Sequence, residues 1–364
     1  SLQYTKPGTE LTFGGALSKY MGDHFGTVLW AQNGLPQDNY RWYDNNAVKK
    51  DLSVYTKWQQ NLSSRFQFFA DLQLRHVDYN IDGFRNNPGL TVDNRYTFFN
   101  PKAGLTYHNQ NWTAFASYSF GSKEPVRDDF EASVTEQPKP EYLRDLEVGF
   151  ERKNSNYNIG ATLYYMQYKD QLVLTGKIND VGAYTRTNID DSYRLGVELQ
   201  GGAVITDWLR ATANLTLSRN KVKNVTEFYD DYDNGGQKSI TYNERDISFS
   251  PSVTGAATVT VQPHRSFSVD LLSKYVSRQY LDNTSNSSRS LNAYFSEDVR
   301  FAYSLQKGIL KNAAIIFQVN NIFNKKYEPN GYTFSYLYNT QLVTENYYFP
   351  MAGTNWMVGL NLRF

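Results

Sequence analysis

Apolar and polar residues alternate along most of this chain with a period of two. From Trp356 onward, every second residue is apolar up to the C-terminus. The same alternation appears at 65–75, 193–200 and 209–217. Successive side chains of a β-strand point to opposite faces, so this period predicts strands with one apolar face and one polar face. The pattern therefore predicts an all-β chain of amphipathic strands.

The connections between the predicted strands alternate between short and long. The short ones are tight turns such as Lys6–Thr9 and Asn61–Ser64. The long segments are Met21–Asn45, Asn80–Tyr96, Ser122–Pro140, Asn224–Asp246 and Glu328–Glu345. A soluble sandwich has no reason to sort its loops in this way, whereas an outer-membrane barrel has short periplasmic turns and long extracellular loops. We therefore predict a transmembrane antiparallel β-barrel of about fourteen strands, preceded by a strand stub at Ser1–Tyr4.

Composition agrees with such a barrel. Apolar residues form 40% of the 364 residues and mean hydropathy is −0.60, yet aromatic residues reach 16%. Strands with one lipid face and one water face give this combination. No run approaches 18 apolar residues, which excludes transmembrane helices, and the absence of cysteine excludes disulfides and thiolate metal sites. A net charge of +1 without a basic cluster gives no support to nucleic-acid binding.

Several sequence blocks resemble successive blocks of TonB-dependent outer-membrane receptors, in particular Bacteroidetes-type iron-complex receptors. They include PKPEYLRDLEVGFE, NIDDSYRLGVELQ, DISFSPSV, VNNIFNKKYE and YFPMAGTNWMVGLNLRF. GDHFGTVLWA, DNNAVKKDLSVY and FFNPKAGLTY resemble the same group, so the similarity covers nearly the whole chain. The family adds an N-terminal plug domain, a TonB box and about seven further strands of a 22-stranded barrel, which we do not find here. Residues 1–364 are thus expected to be the C-terminal portion of such a barrel, with the plug domain absent.

This interpretation also makes a prediction about the edges of the sheet. The first full strand, Glu10–Tyr20, follows a turn of the periplasmic type. We therefore expect it to pair with strands from outside this chain and not with the final strand, Trp356–Phe364. An unpaired strand edge in lipid would cost several kcal/mol for each backbone group.

The resemblance implies an active transporter in the outer membrane of a Gram-negative bacterium. Its extracellular loops would bind a scarce nutrient, foremost a ferric siderophore or other iron complex, and the TonB complex would act through the plug to drive import. Cobalamin, haem or a peptide stay open as ligands, and a lumen without a plug would make a passive porin. Further expected partners are outer-membrane lipid, the barrel-assembly machinery and a surface lipoprotein.

The last strand has a specific role in this family. An amphipathic C-terminal strand that ends on an aromatic residue is the signal read by the barrel-assembly machinery. The resemblance assigns this assembly signal to Trp356, Val358, Leu360, Leu362 and Phe364.

Charged residues occupy the polar faces of the predicted strands. A charge on the lipid face would cost about 2–4 kcal/mol near the membrane midplane, so these residues are expected to face the lumen. A barrel of about 22 strands has a lumen too wide for side chains to fill. We therefore predict that the plug contacts Arg75, Glu147, Glu151, Arg194, Glu198, Arg210, Asp270 and Arg300.

Aromatic and basic residues occur together in the predicted extracellular loops. Such surfaces suit anionic, aromatic ferric siderophores through stacking and cation–π contacts. Rings at the rim of a barrel also serve simply as interfacial anchors. The candidate ligand-binding residues are Trp30, Arg41, Trp42, Tyr43, Tyr184, Arg186, Tyr332, Tyr336 and Tyr338.

Catalysis, cofactors and metals find little support in the sequence. No HExxH, GxSxG or phosphate-binding loop occurs, so we do not expect an enzyme. His24 and His76 both fall toward the extracellular side and leave haem ligation open, although ordinary exposed histidines are favoured. The segment Phe228–Gly236 loosely resembles a calcium loop but lacks the distal glutamate of an EF-hand, and a solvated acidic loop is favoured.

Overall fold

The computed structural model describes residues 1–131, 137–178, 184–307 and 310–362. These residues form twenty β-strands and one short helix, as the all-β prediction requires. The elements are β1 (Leu2–Lys6), β2 (Thr9–Thr27), β3 (Arg41–Asn61), β4 (Phe66–Asp82), β5 (Thr91–Asn109), β6 (Trp112–Lys123), α1 (Arg127–Glu131), β7 (Glu141–Lys153), β8 (Tyr157–Ile178), β9 (Tyr184–Thr206), β10 (Leu209–Asp231), β11 (Gln237–Asp246), β12 (Val253–His264), β13 (Phe267–Val276), β14 (Gln279–Tyr280), β15 (Ser290–Leu291), β16 (Tyr294–Lys307), β17 (Leu310–Asn320), β18 (Asn330–Tyr338), β19 (Gln341–Phe349) and β20 (Asn355–Asn361).

The long strands form one antiparallel sheet that follows chain order. Each strand from β1 to β10 pairs with the next. The part of β10 nearest its turn then pairs with β12, and β13, β16, β17 and β20 follow. This gives fourteen full strands after the stub β1, as predicted. Within the described residues β2 and β20 do not pair and the sheet is not closed, as predicted. Pairing of the first edge with strands from outside this chain stays a prediction.

One face of this sheet is apolar from edge to edge. Cross-strand pairing joins, in a single row, Ala70, Ala103, Tyr118, Leu146, Tyr165 and Leu195. The final strand continues the face, because Val358 lies opposite Phe317. These side chains have no protein cover; Leu146 is 47% exposed and Val358 62%. An exposed apolar face of this extent is typical of strands that contact lipid.

The opposite face is polar and contains glycines that lie beneath aromatic rings. The ring–glycine pairs are Tyr55 over Gly14, Phe69 over Gly104, Phe115 over Gly149 and Tyr164 over Gly196. A Cβ at each of these glycines would lie 2.1–2.5 Å from a ring atom, so a larger residue does not fit. A ring over glycine supplies the packing that a residue without a side chain lacks.

Many strands extend beyond their predicted ends. β2 continues to Thr27 and β3 starts at Arg41, so the predicted loop Met21–Asn45 shortens to 28–40. β9 and β10 have 23 residues each. At about 3.3 Å per residue they are far longer than a bilayer crossing requires. Their upper parts therefore project beyond the membrane on the side of the long loops.

Two predicted strands are too long. The predicted strand Ile247–Val261 starts only at Val253, because Phe249 turns the chain with a φ of 50°. Before that point the sheet is continued by β11, which pairs with the upper part of β10. The predicted strand Phe267–Tyr280 ends at Val276.

The C-terminal region also departs from its predicted outline. The predicted strand Ala313–Lys326 ends before Asn321, which adopts a positive φ of 51°. The segment predicted as a loop, Glu328–Glu345, forms most of the hairpin β18–β19. Asn339 and Thr340 at its tip both have positive φ, as a two-residue type I′ turn requires.

The buried apolar residues form two clusters on the polar face, at the long-loop end of the sheet. The α1 cluster consists of Ala47, Tyr79, Ile81, Phe84, Val92 and Phe130. The β10 cluster consists of Val173, Ile189, Val222, Val225 and Ile247. Both form where connecting segments fold back over the sheet. The described part of the chain has no helix with the length and apolar character needed to cross a membrane.

Candidate functional site

The polar face at the long-loop end, here called the mouth, is filled on the side of α1. Glu124 accepts hydrogen bonds from Arg75 Nη1 and Lys49 Nζ, both at 2.7 Å. Burial raises the pKa of the Glu124 carboxyl, but the bonds from Arg75 and Lys49 outweigh it and the pKa is lowered. Arg127 lies 4.5 Å above the ring of Phe84, which is fully buried. This side of the mouth is packed closed.

The other side of the mouth encloses a cavity of about 410 Å³. It lies between the upper ends of β8, β9 and β10, the segment 282–289, and β18. Its size falls within the range of small-molecule sites. The lining residues are Thr175, Thr185, Arg186, Thr187, Val225, Thr226, Glu227, Phe228, Asp282, Asn283, Thr284, Arg289, Thr333, Phe334 and Ser335.

Arg289 is the central charged group of this cavity and is only 2% exposed. Its Nη1 donates to Oδ2 of Asp282 at 2.8 Å and to Oε1 of Glu227, and its Nη2 donates to Oγ1 of Thr344 at 3.4 Å. Burial alone would lower the pKa of Arg289. The carboxylates of Asp282 and Glu227 together outweigh this effect and raise the pKa above its usual value, so the guanidinium stays charged. Its Nε–H is buried and has no partner among the described residues. A buried donor without a partner is costly, so it is available to a bound ligand.

The hairpin β18–β19 covers the cavity with a polar face. Thr333 and Ser335 on this face are buried. The hydroxyls of Ser335 and Thr344 lie 2.9 Å apart, and Asn346 Nδ2 donates to the carbonyl oxygen of Ser288 at 2.8 Å. The hairpin thus rests on the segment that carries Arg289.

The tip of the hairpin is held by the turn between β10 and β11. The carboxylate of Asp233 accepts the backbone N–H groups of Asn339 at 2.8 Å and Thr340 at 2.7 Å. In the same turn, Asp231 pairs with Lys238 Nζ at 2.8 Å. This lysine and the side chain and backbone of the turn hold the pKa of the Asp231 carboxyl far below its usual range.

The other face of the hairpin carries a ladder of aromatic rings. Tyr332 and Tyr347 stack with centroids 4.9 Å apart, and Phe334 stacks on Tyr347 at 5.9 Å. Glu345 accepts hydrogen bonds from the hydroxyls of Tyr347 at 2.6 Å and Tyr336 at 2.7 Å. These two bonds lower the pKa of the Glu345 carboxyl. Phe334 is also among the residues that line the cavity, while its ring belongs to the ladder on the other face of the hairpin.

The structure brings some of the predicted ligand-binding residues to this region. Arg186 lines the cavity. Tyr332 and Tyr336 belong to the aromatic ladder, and Tyr338 lies exposed beside the hairpin tip. Tyr184 starts β9, but its side chain lies outside the described part of the chain.

The remaining candidates lie where β2 and β3 end. Trp42 and Tyr43 meet edge to face, with centroids 4.5 Å apart, and both lie over Gly26. Arg41 pairs with the nearby Asp44 at 2.8 Å, and Trp30 is 78% exposed in the segment 28–40. None of these four candidates is among the residues that line the cavity. Their role in ligand binding stays a prediction.

The register places all eight predicted plug contacts on the polar face. Arg300 pairs with Asp270 at 2.8 Å, and Arg194 donates to Ser250 Oγ at 3.1 Å. Arg75 binds Asp51 as well as Glu124. Four of the eight make no side-chain hydrogen bond or ion pair within the described residues: Glu147, Glu151, Glu198 and Arg210. That these groups contact a plug stays a prediction.

The proposed assembly signal occupies the free edge strand. Trp356, Val358 and Leu360 lie exposed on the apolar face of β20, and Leu362 follows the end of the strand. Phe364 lies outside the described residues. Recognition of this strand by the assembly machinery stays a prediction.

The histidines do not form a haem site. His24 lies opposite Asn45, which faces the mouth, whereas His76 lies opposite Leu52 on the apolar face. The two imidazoles therefore point to opposite sides of the sheet and cannot bind one iron. His76 instead lies 2.8 Å from Thr97 Oγ1.

The acidic segment Phe228–Gly236 is mostly exposed, as its sequence favours, and only Tyr229 and Asp231 in it are buried. It forms the end of β10 and its turn, and Asp231 is 2% exposed. The carboxylate oxygens of Asp231 and Asp233 accept protein N–H groups. Among the described residues, no group of three or more histidine or acidic side chains could hold a metal ion.

Sequence reasoning missed the groups that shape the cavity. Glu227, Asp282 and Arg289 were not singled out, because the contact between Arg289 and Glu227 joins residues 62 positions apart. A local signal did exist in the hairpin. The alternation of Tyr332, Thr333 and Phe334 continues through Tyr338 and is typical of a strand with one aromatic and one polar face.

An exposed apolar face, a polar face and a mouth with ordered loops define the class of a transmembrane β-barrel receptor. The chain belongs to the family of TonB-dependent receptors, because the family model "TonB dependent receptor-like, beta-barrel" matches residues 2–322. The described sheet fits the C-terminal part of such barrels. None of the curated proteins compared with the chain matches it.

Solved structures share the fold at low sequence identity. The siderophore receptor PiuA from Acinetobacter baumannii is 17% identical, with a TM-score of 0.72, and the match covers 99% of this chain and 54% of PiuA. The copper transporter OprC is 14% identical, with a TM-score of 0.71 and coverage of 98% and 54%. The ferric-catecholate import receptor Fiu from E. coli is 16% identical, with a TM-score of 0.69 and coverage of 100% and 53%. The chain thus spans about half the length of these proteins, and the similarity shows the fold alone.

Proposed function

We propose that this chain is the C-terminal portion of an active transporter in the outer membrane of a Gram-negative bacterium. Its substrate is an organic iron complex, and import is driven by the TonB complex through a plug domain outside this chain. The family supports nutrient transport across the outer membrane, and receptors for ferric catecholate, ferric yersiniabactin and ferric citrate are among the proteins of similar fold. Assembly through β20 and a surface lipoprotein as an extracellular partner belong to the same proposal.

The cavity beside Arg289 is the observation that carries this proposal. It combines a buried cation that has a spare N–H group with the hydroxyls of Thr333 and Ser335 and with apolar lining residues such as Val225. Ligand sites of receptors have this character, in which apolar contact supplies affinity and a few polar groups fix orientation. Its place at the mouth would let a ligand bind before it reaches the lumen.

The chemistry of the lining favours an organic complex over a bare metal ion. Glu227 and Asp282 bind Arg289, and Arg186 pairs with Asp129 of α1 at 3.2 Å. The described residues offer no cluster that could ligate a metal directly. The organic shell of an iron complex would meet the apolar lining residues and the donors of Arg186 and Arg289. Haem has no ligand pair, because His24 and His76 lie on opposite faces.

The polar face supports a plugged lumen and argues against an open porin. Glu147, Glu151, Glu198 and Arg210 are charges with no partner within the described sheet. We infer that a plug domain provides their partners. Its displacement by TonB would then break ion pairs at the wall and open a path for the ligand.

A growth experiment tests this function. A strain that lacks the gene is complemented with the whole receptor or with its Arg186→Ala variant, and each grows on single iron sources under iron limitation. We expect the receptor to restore growth on at least one organic iron complex, and the variant to need several-fold more of that complex.

Uptake of the same radiolabelled complex separates active transport from passive diffusion. A protonophore that collapses the inner-membrane gradient should abolish uptake by the receptor. Uptake that continues at an unchanged rate, and does not saturate with concentration, would show a porin.

A further inference from the structure

A buried carboxylate of α1 reaches across the mouth to the cavity. Asp129 is 4% exposed, and its Oδ1 lies 3.2 Å from Nη1 of Arg186, which lines the cavity from β9. Its Oδ2 accepts the backbone N–H of Val126 at 2.8 Å. Among the described residues, Arg186 is the one cation within ion-pair distance of this carboxylate. A buried carboxylate is costly unless it is paired, so Asp129 holds the guanidinium of Arg186 to itself.

The second cation of the cavity, Arg289, is neutralised twice. Its Nη1 binds the carboxylates of both Glu227 and Asp282. Each of these carboxylates is also fixed by a hydroxyl group, since Tyr242 donates to Glu227 Oε2 at 3.1 Å and Thr284 donates to Asp282 Oδ1 at 2.7 Å. Both carboxylates therefore stay beside the guanidinium when a ligand enters.

The charge balance of the cavity disfavours an anion. The lining and Asp129 together contain two cations and three carboxylates. An anionic ligand group that took Arg186 would leave Asp129 buried without its cation, which is strongly unfavourable. At Arg289 the same group would be a third negative charge beside one guanidinium.

A neutral acceptor meets neither of these costs. The buried Nε–H of Arg289 has no partner and can donate to a carbonyl oxygen without a change in the ion pairs. Most of the uncharged lining residues carry a hydroxyl group, which binds polar but uncharged groups equally well. The cavity thus offers donors to a ligand whose own charge is already balanced.

We infer that Asp129 is a positioning residue that acts through Arg186 and sets the cavity for iron complexes without net negative charge. This inference rests on the function proposed for the cavity. A site gains specificity when the wrong ligand leaves one of its buried charges unpaired. Hydroxamate groups carry one negative charge each, so three of them balance ferric iron, whereas three catecholate groups leave the complex strongly anionic. The arrangement therefore favours a hydroxamate-type shell and rejects the catecholate shell that the aromatic loops alone would suit.

Titration calorimetry on the whole receptor in detergent tests this inference. The probes are the ferric complex of a trihydroxamate, the ferric complex of a tricatecholate, and the complex that supports growth, whose net charge is measured by electrophoresis. The variants are D129N, which keeps an acceptor for the N–H of Val126, the double variant D129N/R186Q, and D128N as the exposed control on the same helix. Heat-modifiable migration on gels verifies assembly, and D129S replaces D129N if the latter does not assemble.

We expect the unchanged receptor to bind the trihydroxamate complex more tightly than the tricatecholate complex, and the complex that supports growth to carry no net negative charge. In D129N the freed guanidinium of Arg186 can bind an anion, so affinity for the tricatecholate complex should rise roughly tenfold. Affinity for the trihydroxamate complex should stay within twofold of the parent. The double variant should lose the gain, and D128N should bind both complexes like the unchanged receptor.

The outcomes separate this inference from the function on which it rests. A preference of the unchanged receptor for the tricatecholate complex, an anionic complex as the one that supports growth, or no gain in D129N would each overturn the inference alone. An equal gain in D128N, or a gain that persists in D129N/R186Q, would do the same, because it would not depend on the pair of Asp129 and Arg186. If none of the iron complexes binds, the proposed function is wrong and the inference falls with it.

Discussion

The two sides of the mouth differ in the kind of residue that they bury. Beside α1, the rings of Phe84 and Phe130 are buried and fill the space between β4 and β5. Beside the hairpin β18–β19, the buried groups include Arg289, Thr333 and Ser335, and a cavity of about 410 Å³ remains. The first side resembles the core of a soluble protein, whereas the second resembles a binding site.

This difference indicates what each side can do. On the α1 side the buried donors Asn45 Nδ2 and Arg127 Nη1 also lack a partner, but the closely packed rings leave no room for a ligand beside them. This side therefore serves to fix connecting segments against the wall. A buried cation with two carboxylates is costly to desolvate and adds little stability compared with apolar packing. Its presence at Arg289 is therefore better explained by ligand binding than by folding.

The largest expected effect comes from Arg289→Ala. It leaves Glu227 and Asp282 buried without their cation, which costs about 3–5 kcal/mol, and it removes the spare N–H group from the cavity. We expect affinity for the iron complex, measured by titration calorimetry, to fall more than 100-fold. Arg278→Ala is the matched control, because the side chain of Arg278 is exposed and its one contact within the described residues is the nearby, half-buried Tyr280. This variant should leave affinity unchanged. An affinity within threefold of the parent in Arg289→Ala would remove Arg289 from the site.

A smaller effect is expected from acidification, which should lower the local stability of the hairpin side more than that of the α1 side. The carboxyls of Asp231 and Glu345 have lowered pKa values in the folded hairpin region. Their stabilising effect is therefore complete above the usual carboxyl pKa near 4 and is lost as the pH falls further below it. Amide hydrogen exchange in 330–349 should rise between pH 4.5 and pH 3, after correction for intrinsic rates. Exchange around Ile81 and Val92 should rise less, because Glu124 is the one carboxyl with a lowered pKa described on that side and two such carboxyls act at the hairpin. Equal protection of both regions at pH 3 would contradict this account.

A moderate effect is expected for Phe334→Ala. The variant removes a ring of the aromatic ladder at a residue that lines the cavity, and aromatic pairs contribute about 0.5–1.5 kcal/mol beyond their buried area. Affinity should fall about fivefold. Phe334→Leu, which keeps apolar volume, separates stacking from simple contact and should recover little of the loss for an aromatic ligand. Full recovery with leucine would mean that stacking plays no part.

The smallest effect on binding is expected for Phe130→Ala. The lost ring is 1% exposed, so the substitution should destabilise α1 locally by about 3–5 kcal/mol. We expect faster proteolysis at 124–131 but a ligand affinity within twofold of the parent. A large loss of affinity would show that the α1 side also takes part in binding.

The membrane-spanning part of the fold was predictable from the sequence because one rule governs every strand. Each position faces either lipid or lumen, so the period of two survives in residues such as Leu146 and Glu147. The fourteen strands, their order and their faces follow from this rule and from the alternation of short and long connections. The ends of the strands were harder to predict from the sequence, because above the membrane the sheet continues without an apolar face.

The mouth was predicted only in fragments. Arg186 is a candidate from the sequence because basic residues beside aromatic ones stand out in a loop, and the structure places it in the lining of the cavity. Arg289, Glu227 and Asp282 come together only after the hairpin folds across to β10, where Asp230 pairs with Tyr336. Contacts of this range leave no periodic trace in a single sequence.

The central claim is that the iron complex binds in the cavity beside Arg289, and locating the bound iron tests it most directly. Crystals of the whole receptor soaked with the iron complex that supports growth would be measured at the iron absorption edge, and the anomalous peak gives the metal position without a model of the ligand. The cavity account predicts one peak beside the space lined by Arg186, Arg289 and Phe334. A peak against Trp42 and Tyr43, with the cavity unchanged, would contradict it.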